Sequence, residues 1–190
     1  MSGGGVIDSK VANFFSTFDH LLDCPTAITA AIESCKEVKK ERDRARKRGE
    51  VGTVGGHQRV LLIFGANWSP ACAKLKEVIE QDPVKPVLDA HFSVILIDVE
   101  GPFNIDLNKA YGEPIMLGVP SIVILNEEGE AMCKVGTNTF ETDAITAGSL
   151  PLFSTPYSAE ALVKFLDKYK YEEARPEDVS PSSSEDEGGE

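Results

Sequence analysis

The stretch Val60-Leu61-Leu62-Ile63-Phe64-Gly65-Ala66-Asn67-Trp68-Ser69-Pro70-Ala71-Cys72 decides the reading of this chain. Five continuous apolar residues, Val60 to Phe64, read as a strand buried on both faces, as parallel strands are. Ser69 suits a helix N-cap, and Pro70 then falls at N1, where a missing N–H costs nothing. Cys72 falls at about N3. A strand stops here and a helix starts, so unpaired N–H groups and the positive end of the helix dipole face position 69. A thiol in that field ionises near neutral pH. A serine alcohol does not, because the field moves a pKa by a few units at most and an alcohol needs a strong general base besides. No histidine lies near Ser69 in sequence. Ser69 therefore reads first as a cap. Cys72 reads either as a shielded lone thiol or as a monothiol that the helix terminus partly activates.

Further along, Gly118-Val119-Pro120-Ser121 precedes a second apolar run, Ile122-Val123-Ile124-Leu125. With these two motifs in this order, residues from about 60 to 170 resemble the thioredoxin superfamily. The resemblance is to thioredoxin-like domains with a Gly-Ala-Asn-Trp-Cys-x-x-Cys site, here Gly65 to Cys72 with Ser69 in place of the first cysteine. It implies an α/β chain, a thioredoxin-like three-layer α/β/α sandwich on a central mixed sheet. It also implies that Pro120 is cis and faces the Ser69–Cys72 turn, and that the Val119 backbone pairs with an extended substrate segment. In such proteins the first sulfur attacks a disulfide and the second resolves the mixed disulfide. Ser69 removes the first. The strand position where typical thioredoxins keep a buried aspartate, which helps move the proton of the second cysteine, holds Ile63.

By resemblance, then, the redox site is degenerate. Ser69 stands at the place of the missing nucleophile, and Cys72 is catalytic only if the site is redox-active. Trp68, Pro70, Val119 and Pro120 form the expected binding face, with a protein or peptide partner at the cis-Pro groove. The alternative is a monothiol thioredoxin- or glutaredoxin-like oxidoreductase acting through Cys72 in cell redox homeostasis, with glutathione as its small partner. No cofactor or metal is expected.

Composition bounds the rest. A chain of 190 residues with 42% hydrophobic content suits one domain with extensions. A net charge of −12 argues against a general DNA binder. No apolar stretch approaches the roughly 20 residues that span a bilayer, so no membrane partner is expected. Met1-Ser2-Gly3-Gly4-Gly5 lacks the basic and apolar regions of a secretory signal. The expectation is a cytoplasmic protein, with the nucleus open to it. Cys24, Cys35, Cys72 and Cys133 are scattered, which suits free thiols rather than a disulfide framework or a zinc site.

Three regions are expected: an N-terminal helical extension and Gly-rich linker (1–56), a thioredoxin-like domain (57–171) and a disordered acidic tail (172–190). In the first, Val6, Val11, Phe14, Phe15, Phe18, Leu21 and Leu22 predict an amphipathic helix over 6–22, docking on the domain or on a partner. Cys24-Pro25 ends it, and a second helix runs from about Thr26 to Lys47. Residues 36–48 of that helix hold eight basic and three acidic side chains. They read as a solvated helix end, with an acidic-partner patch, a nuclear import signal and docking of the acidic tail as alternatives. In the domain, helices are expected over 70–81, on to about His91, over 107–111 and over 159–169, the last capped by Ser158. Strands are expected over 92–98, 121–125 and 131–135, with a hairpin through Asn126-Glu127-Glu128-Gly129. Residues 136–156 read as a long polar loop, a candidate lid or partner contact. The tail has eight acidic residues against Arg175, and Ser182, Ser183 and Ser184 each stand three residues before an acid, which suits acidophilic kinases. His20, His57 and His91 receive no role.

Overall fold

The apolar run forms strand β1 (Arg59–Gly65), an inner strand of a four-stranded sheet. The computed structural model describes residues 18–50, 54–140 and 157–171. Helix α1 (Cys24–Lys47) precedes β1, and α2 (Pro70–Ile79), α3 (Val84–His91), β2 (Phe92–Asp98) and α4 (Ile105–Ala110) follow it. The chain continues with a 3-10 turn at Pro114–Leu117, β3 (Ser121–Leu125), β4 (Ala131–Gly136), a 3-10 turn at Thr137–Phe140, and α5 (Ala159–Tyr169). The sheet order is β2-β1-β3-β4. β1 runs parallel to β2, with Leu62 opposite Ile95, and antiparallel to β3, with Leu62 opposite Val123. β4 returns antiparallel to β3 through the Asn126–Gly129 turn, where Gly129 takes a φ of 87°.

A two-residue side-chain period divides the apolar run between two cores. Val60, Leu62 and Phe64 face one side with Ile95, Ile97, Val123 and Leu125, under Cys24, Ile28 and Cys35 of α1. Leu61 and Ile63 face the other with Ile122 and Ile124, under α2, α3 and α5. The result is a three-layer α/β/α arrangement. All four cysteines are free thiols. Burial pushes those of Cys24 and Cys35 up to about 11, so both stay neutral in the core.

Several boundaries differ from the sequence reading. The helix expected over 6–22 lies mostly outside the described residues, and its last part, 18–22, is turn rather than helix. The Asn67 side chain takes both backbone polar groups of Phe18, and Asp19 Oδ1 accepts the Leu21 N–H at 2.9 Å. These local partners replace helical hydrogen bonds. α1 starts at Cys24 rather than Thr26, because Asp23 caps it by accepting from the Thr26 N–H and Pro25 sits in the first turn. α2 ends at Ile79, two residues early. Of the expected 136–156 loop, residues 137–140 form a packed 3-10 turn with Phe140 buried, and the Ser158 N–H donates to the Phe140 carbonyl at 2.7 Å. Residues 141–156 and the acidic tail lie outside the described residues.

Much of the positive charge on α1 is answered within the chain. Lys39 pairs with Glu127 and Glu128 of the hairpin at 2.9 and 2.7 Å, and Arg48 pairs with Glu50. Arg42 is buried and lies 3.4 Å from the centre of the Tyr171 ring. Arg59 at the start of β1 pairs with Glu127, and both side chains are only 11% exposed. Burial pushes the Glu127 carboxyl up. Its own backbone N–H, the Lys39 ammonium and the Arg59 charge outweigh that and hold it below the ordinary carboxylate range. A depressed folded-state pKa adds stability that is present above the unfolded value and lost as pH falls through the folded one. Replacing Glu127 by Gln is expected to cost about 2 kcal/mol at pH 7, read as a lower urea midpoint, since it leaves Arg59 charged and half-satisfied. The difference between variant and wild type should shrink as pH drops into the carboxylate range, and a constant difference would refute this account.

Candidate functional site

β1 ends at Gly65 and α2 begins at Pro70, so residues 66–69 carry the chain from sheet to helix at one edge of the domain. Ser69 is the N-cap, with extended backbone (φ −81°, ψ 117°). Its Oγ accepts the Cys72 N–H at 3.3 Å, the usual capping bond. The same hydroxyl donates to the Val119 carbonyl at 3.3 Å. The Val119–Pro120 peptide is cis. The structure thus brings Ser69, Cys72, Val119 and Pro120 together. Trp68 and Pro70 stand at the rim, and Trp68 is 67% exposed.

The chemistry of this arrangement follows from its partners. Both hydrogen bonds of the Ser69 hydroxyl go to backbone atoms, so no general base takes its proton. The site lies beyond the C-terminal end of β1. His57 and His91 lie at the opposite end, about 20 Å away along a seven-residue strand. His20 sits against Phe103, with ring centres 5.6 Å apart. Cys72 is buried, and its Sγ accepts the Ala66 N–H at 3.4 Å. Burial pushes this thiol above its ordinary value, and the Ala66 N–H and the nearby Ser69 hydroxyl pull it down by less. Ile63, which stands where the resemblance places an acid, and Cys72 line one cavity of about 220 Å³, together with Leu75, Ile79 and Leu96 and with Asn67 and Lys76. Cys133, on β4, is half-buried and is also pushed up, by burial. Among the described residues no group of three or more His, Cys, Asp or Glu stands together as a metal site.

Three supports of the site escape the sequence reading. Thr137 Oγ1 donates to the Pro120 carbonyl at 2.9 Å, and the Tyr157 hydroxyl lies 2.9 Å from the same Oγ1. Both side chains are buried. They tie the loop before β3 to the residues that flank 141–156 on either side. Gly136 makes room for this, because a side chain there would collide with the Leu117 carbonyl. The only signal in the sequence is the Gly-Thr pair at the end of a strand. Nothing near Tyr157 in the chain points to Pro120. The third support is the Asn67–Phe18 clamp, at 3.0 and 2.8 Å, which ties an N-terminal segment to the site turn.

No protein-family model matches the chain, and no curated protein matches it either. A solved structure of a disulphide isomerase from Xylella fastidiosa Temecula1 is similar over 80% of this chain and 94% of its own, at 27% identity and a TM-score of 0.53. This is a thioredoxin-fold protein. Other similar structures are a single-site mutant of thioredoxin from Halobacterium salinarum NRC-1 and the reduced C-terminal domain of DsbD from Neisseria meningitidis. The first has 24% identity over 62% of this chain and 80% of its own, with a TM-score of 0.41. The second has 16% identity over 76% and 95%, with a TM-score of 0.43. No helix among the described residues is long and apolar enough to cross a membrane.

The raised thiol gives a direct expectation for this thioredoxin-fold chain. Peptide-resolved alkylation of Cys72 with iodoacetamide should still be gaining rate as pH passes the ordinary thiol value of 9.0. A rate that levels off near neutral pH would show an activated thiolate and contradict the burial argument.

Proposed function

We propose that this chain is a peptide-binding module built on the redox face of a thioredoxin fold, without dithiol–disulfide turnover. The observation that carries the reading is the Ser69 hydroxyl, at the position of the first sulfur, with both of its hydrogen bonds spent on backbone. An alcohol without a base does not attack a disulfide, and Cys72 has no second sulfur in the turn to cooperate with it. The binding face remains. Trp68, Met116 and Leu117 are 67%, 78% and 44% exposed, and they flank the Ser69–Val119 contact in sequence. Exposed large apolar side chains this close in sequence to the Ser69–Val119 contact support an interaction site there. The Val119 carbonyl keeps a second lone pair beside the one that Ser69 uses, and it offers an extended peptide a backbone partner. The competing reading, a monothiol oxidoreductase working through Cys72 and glutathione, needs a thiolate that burial disfavours.

Trp68 is the chain's single tryptophan, so its fluorescence reports the face directly. Titration with an unstructured apolar peptide is expected to blue-shift its emission. Met116→Asp and Leu117→Asp should each weaken binding by about tenfold, the effect of losing one well-buried contact of roughly 1.4 kcal/mol. In insulin reduction with dithiothreitol, the wild-type chain should stay at the uncatalysed rate, while Ser69→Cys gains activity. Wild-type turnover comparable to that of Ser69→Cys would end the proposal.

A further inference from the structure

A second apolar surface adjoins the site turn. The Val99 N–H donates to the Gly65 carbonyl at 2.9 Å, so the loop after β2 leaves the sheet beside residues 66–69. That loop is held in place. The Asp98 carboxylate accepts the Glu100 N–H at 2.8 Å, and the Asn104 amide donates to the Asp98 carbonyl at 2.7 Å. Residues 18–22 pass from the end of β1, where the Phe18 ring lies against Gly65, to this loop, where the His20 ring stands 5.6 Å from that of Phe103. The two segments present Leu21, Phe103 and Ile105, which are 81%, 44% and 46% exposed. Asn67, the neighbour of Trp68, holds both backbone polar groups of Phe18. Leu21 follows Phe18 by three residues, so it stands within about 10 Å of the backbone that Asn67 holds.

This surface carries one sign of charge. Residues 18–24 and 98–106 hold five acidic side chains, Asp19, Asp23, Asp98, Glu100 and Asp106, and no lysine or arginine. Acids from both segments act on one sulfur: burial first, and then the carboxylates of Asp23, Asp98 and Asp19, push the Cys24 thiol up. Asp19, Asp23, Glu100 and Asp106 are exposed. The next cation along the chain is Lys109, one turn beyond Asp106 on α4. Carboxylates beside exposed apolar side chains favour an apolar segment that carries lysine or arginine, and they repel one that carries acids. We infer that the peptide partner of this face is cationic as well as apolar. Its large apolar side chains pack on Leu21, Phe103 and Ile105, and its lysine or arginine side chains meet Asp19, Glu100 and Asp106. The inference rests on the peptide-binding reading and names the chemistry of its partner.

The test uses the full chain and three labelled peptides of one apolar pattern, with lysine, glutamine or glutamate at the polar positions. Fluorescence anisotropy is expected to show the lysine peptide binding about tenfold tighter than the glutamine peptide, with the glutamate peptide weakest. The preference should shrink as salt rises from about 20 mM to about 500 mM, as attraction between exposed charges does, and this arm needs no variant. Glu100→Gln/Asp106→Asn should weaken the lysine peptide about tenfold and leave the glutamine peptide unchanged. Phe103→Ser should weaken both, and unchanged affinities in that variant overturn the inference. A chain of net charge −12 attracts any cationic peptide, so a control must separate local from overall charge. Glu41→Gln/Asp43→Asn removes the same charge on α1, about 27 Å along the helix from Cys24, and should bind all three peptides as wild type does. A lysine preference that both double variants reduce equally comes from overall charge and overturns the inference. Equal affinities for the three peptides overturn it as well, and leave the peptide-binding reading standing. Binding of none of the three ends that reading, and the inference with it.

Discussion

The hydroxyl of Ser69 joins the two halves of this site. On one side it caps α2 through the Cys72 N–H, and on the other it holds the Val119 carbonyl of the cis-proline loop. One atom therefore fixes where the helix starts, how Cys72 is presented and where the loop before β3 stands. A sulfur in that place would trade a good cap for a nucleophile. The same electrostatics that favour an anion at a helix start also favour a hydrogen-bond acceptor there, and serine supplies only the second. Geometry and chemistry meet at a single position: the helix start and the cis-proline loop stand together, and the atom that joins them is an alcohol oxygen.

The supports of that position are mostly remote in sequence. Thr137 holds the Pro120 carbonyl and is itself hydrogen-bonded to the Tyr157 hydroxyl, and Asn67 holds Phe18. Thr137 and Tyr157 are buried, so their hydrogen bonds also avoid a desolvation penalty of about 1–3 kcal/mol. Buried networks of this kind specify one arrangement rather than adding much net stability. Trp68 and Met116 can stay exposed because the backbone beneath them is held by other residues.

The elements whose signal is local can be read from the chain. The Val60–Phe64 run, the Ser69-Pro70 and Ser158 caps and the Gly129 turn each state their structure within five residues, and all form near the expected positions. The three-layer fold is legible because β1 is apolar from Val60 to Phe64, as suits a strand covered on both faces. What stays hidden depends on contacts across long sequence separations. Residues 18–22 carry helical spacing, yet Asn67, forty-nine positions away from Phe18, captures that backbone instead. The start of α1 is hidden for a local reason: Pro25 reads as a break, whereas Asp23 makes it a first-turn proline. The role of Tyr157 is not legible, because nothing near it in the chain points to Pro120, and Thr137 offers only the Gly-Thr pair at the end of a strand.

A lone thiol at a helix start is subject to opposed influences, and burial decides between them here. The Ala66 N–H and the Ser69 hydroxyl both favour the thiolate, as the first turn of a helix does. The apolar wall of Ile63, Leu75, Ile79 and Leu96 opposes them, and desolvation is the largest influence. In two-sulfur sites of this kind the second cysteine reacts only after the first has brought a substrate disulfide to it. Without the first sulfur, nothing in the turn draws Cys72 out of its cavity. Its place on the inner side of α2 then serves packing, and any change in its reactivity has to come from what fills the space beside it. On this side of the fold Trp68 stays exposed, while burial keeps the sulfur behind it neutral.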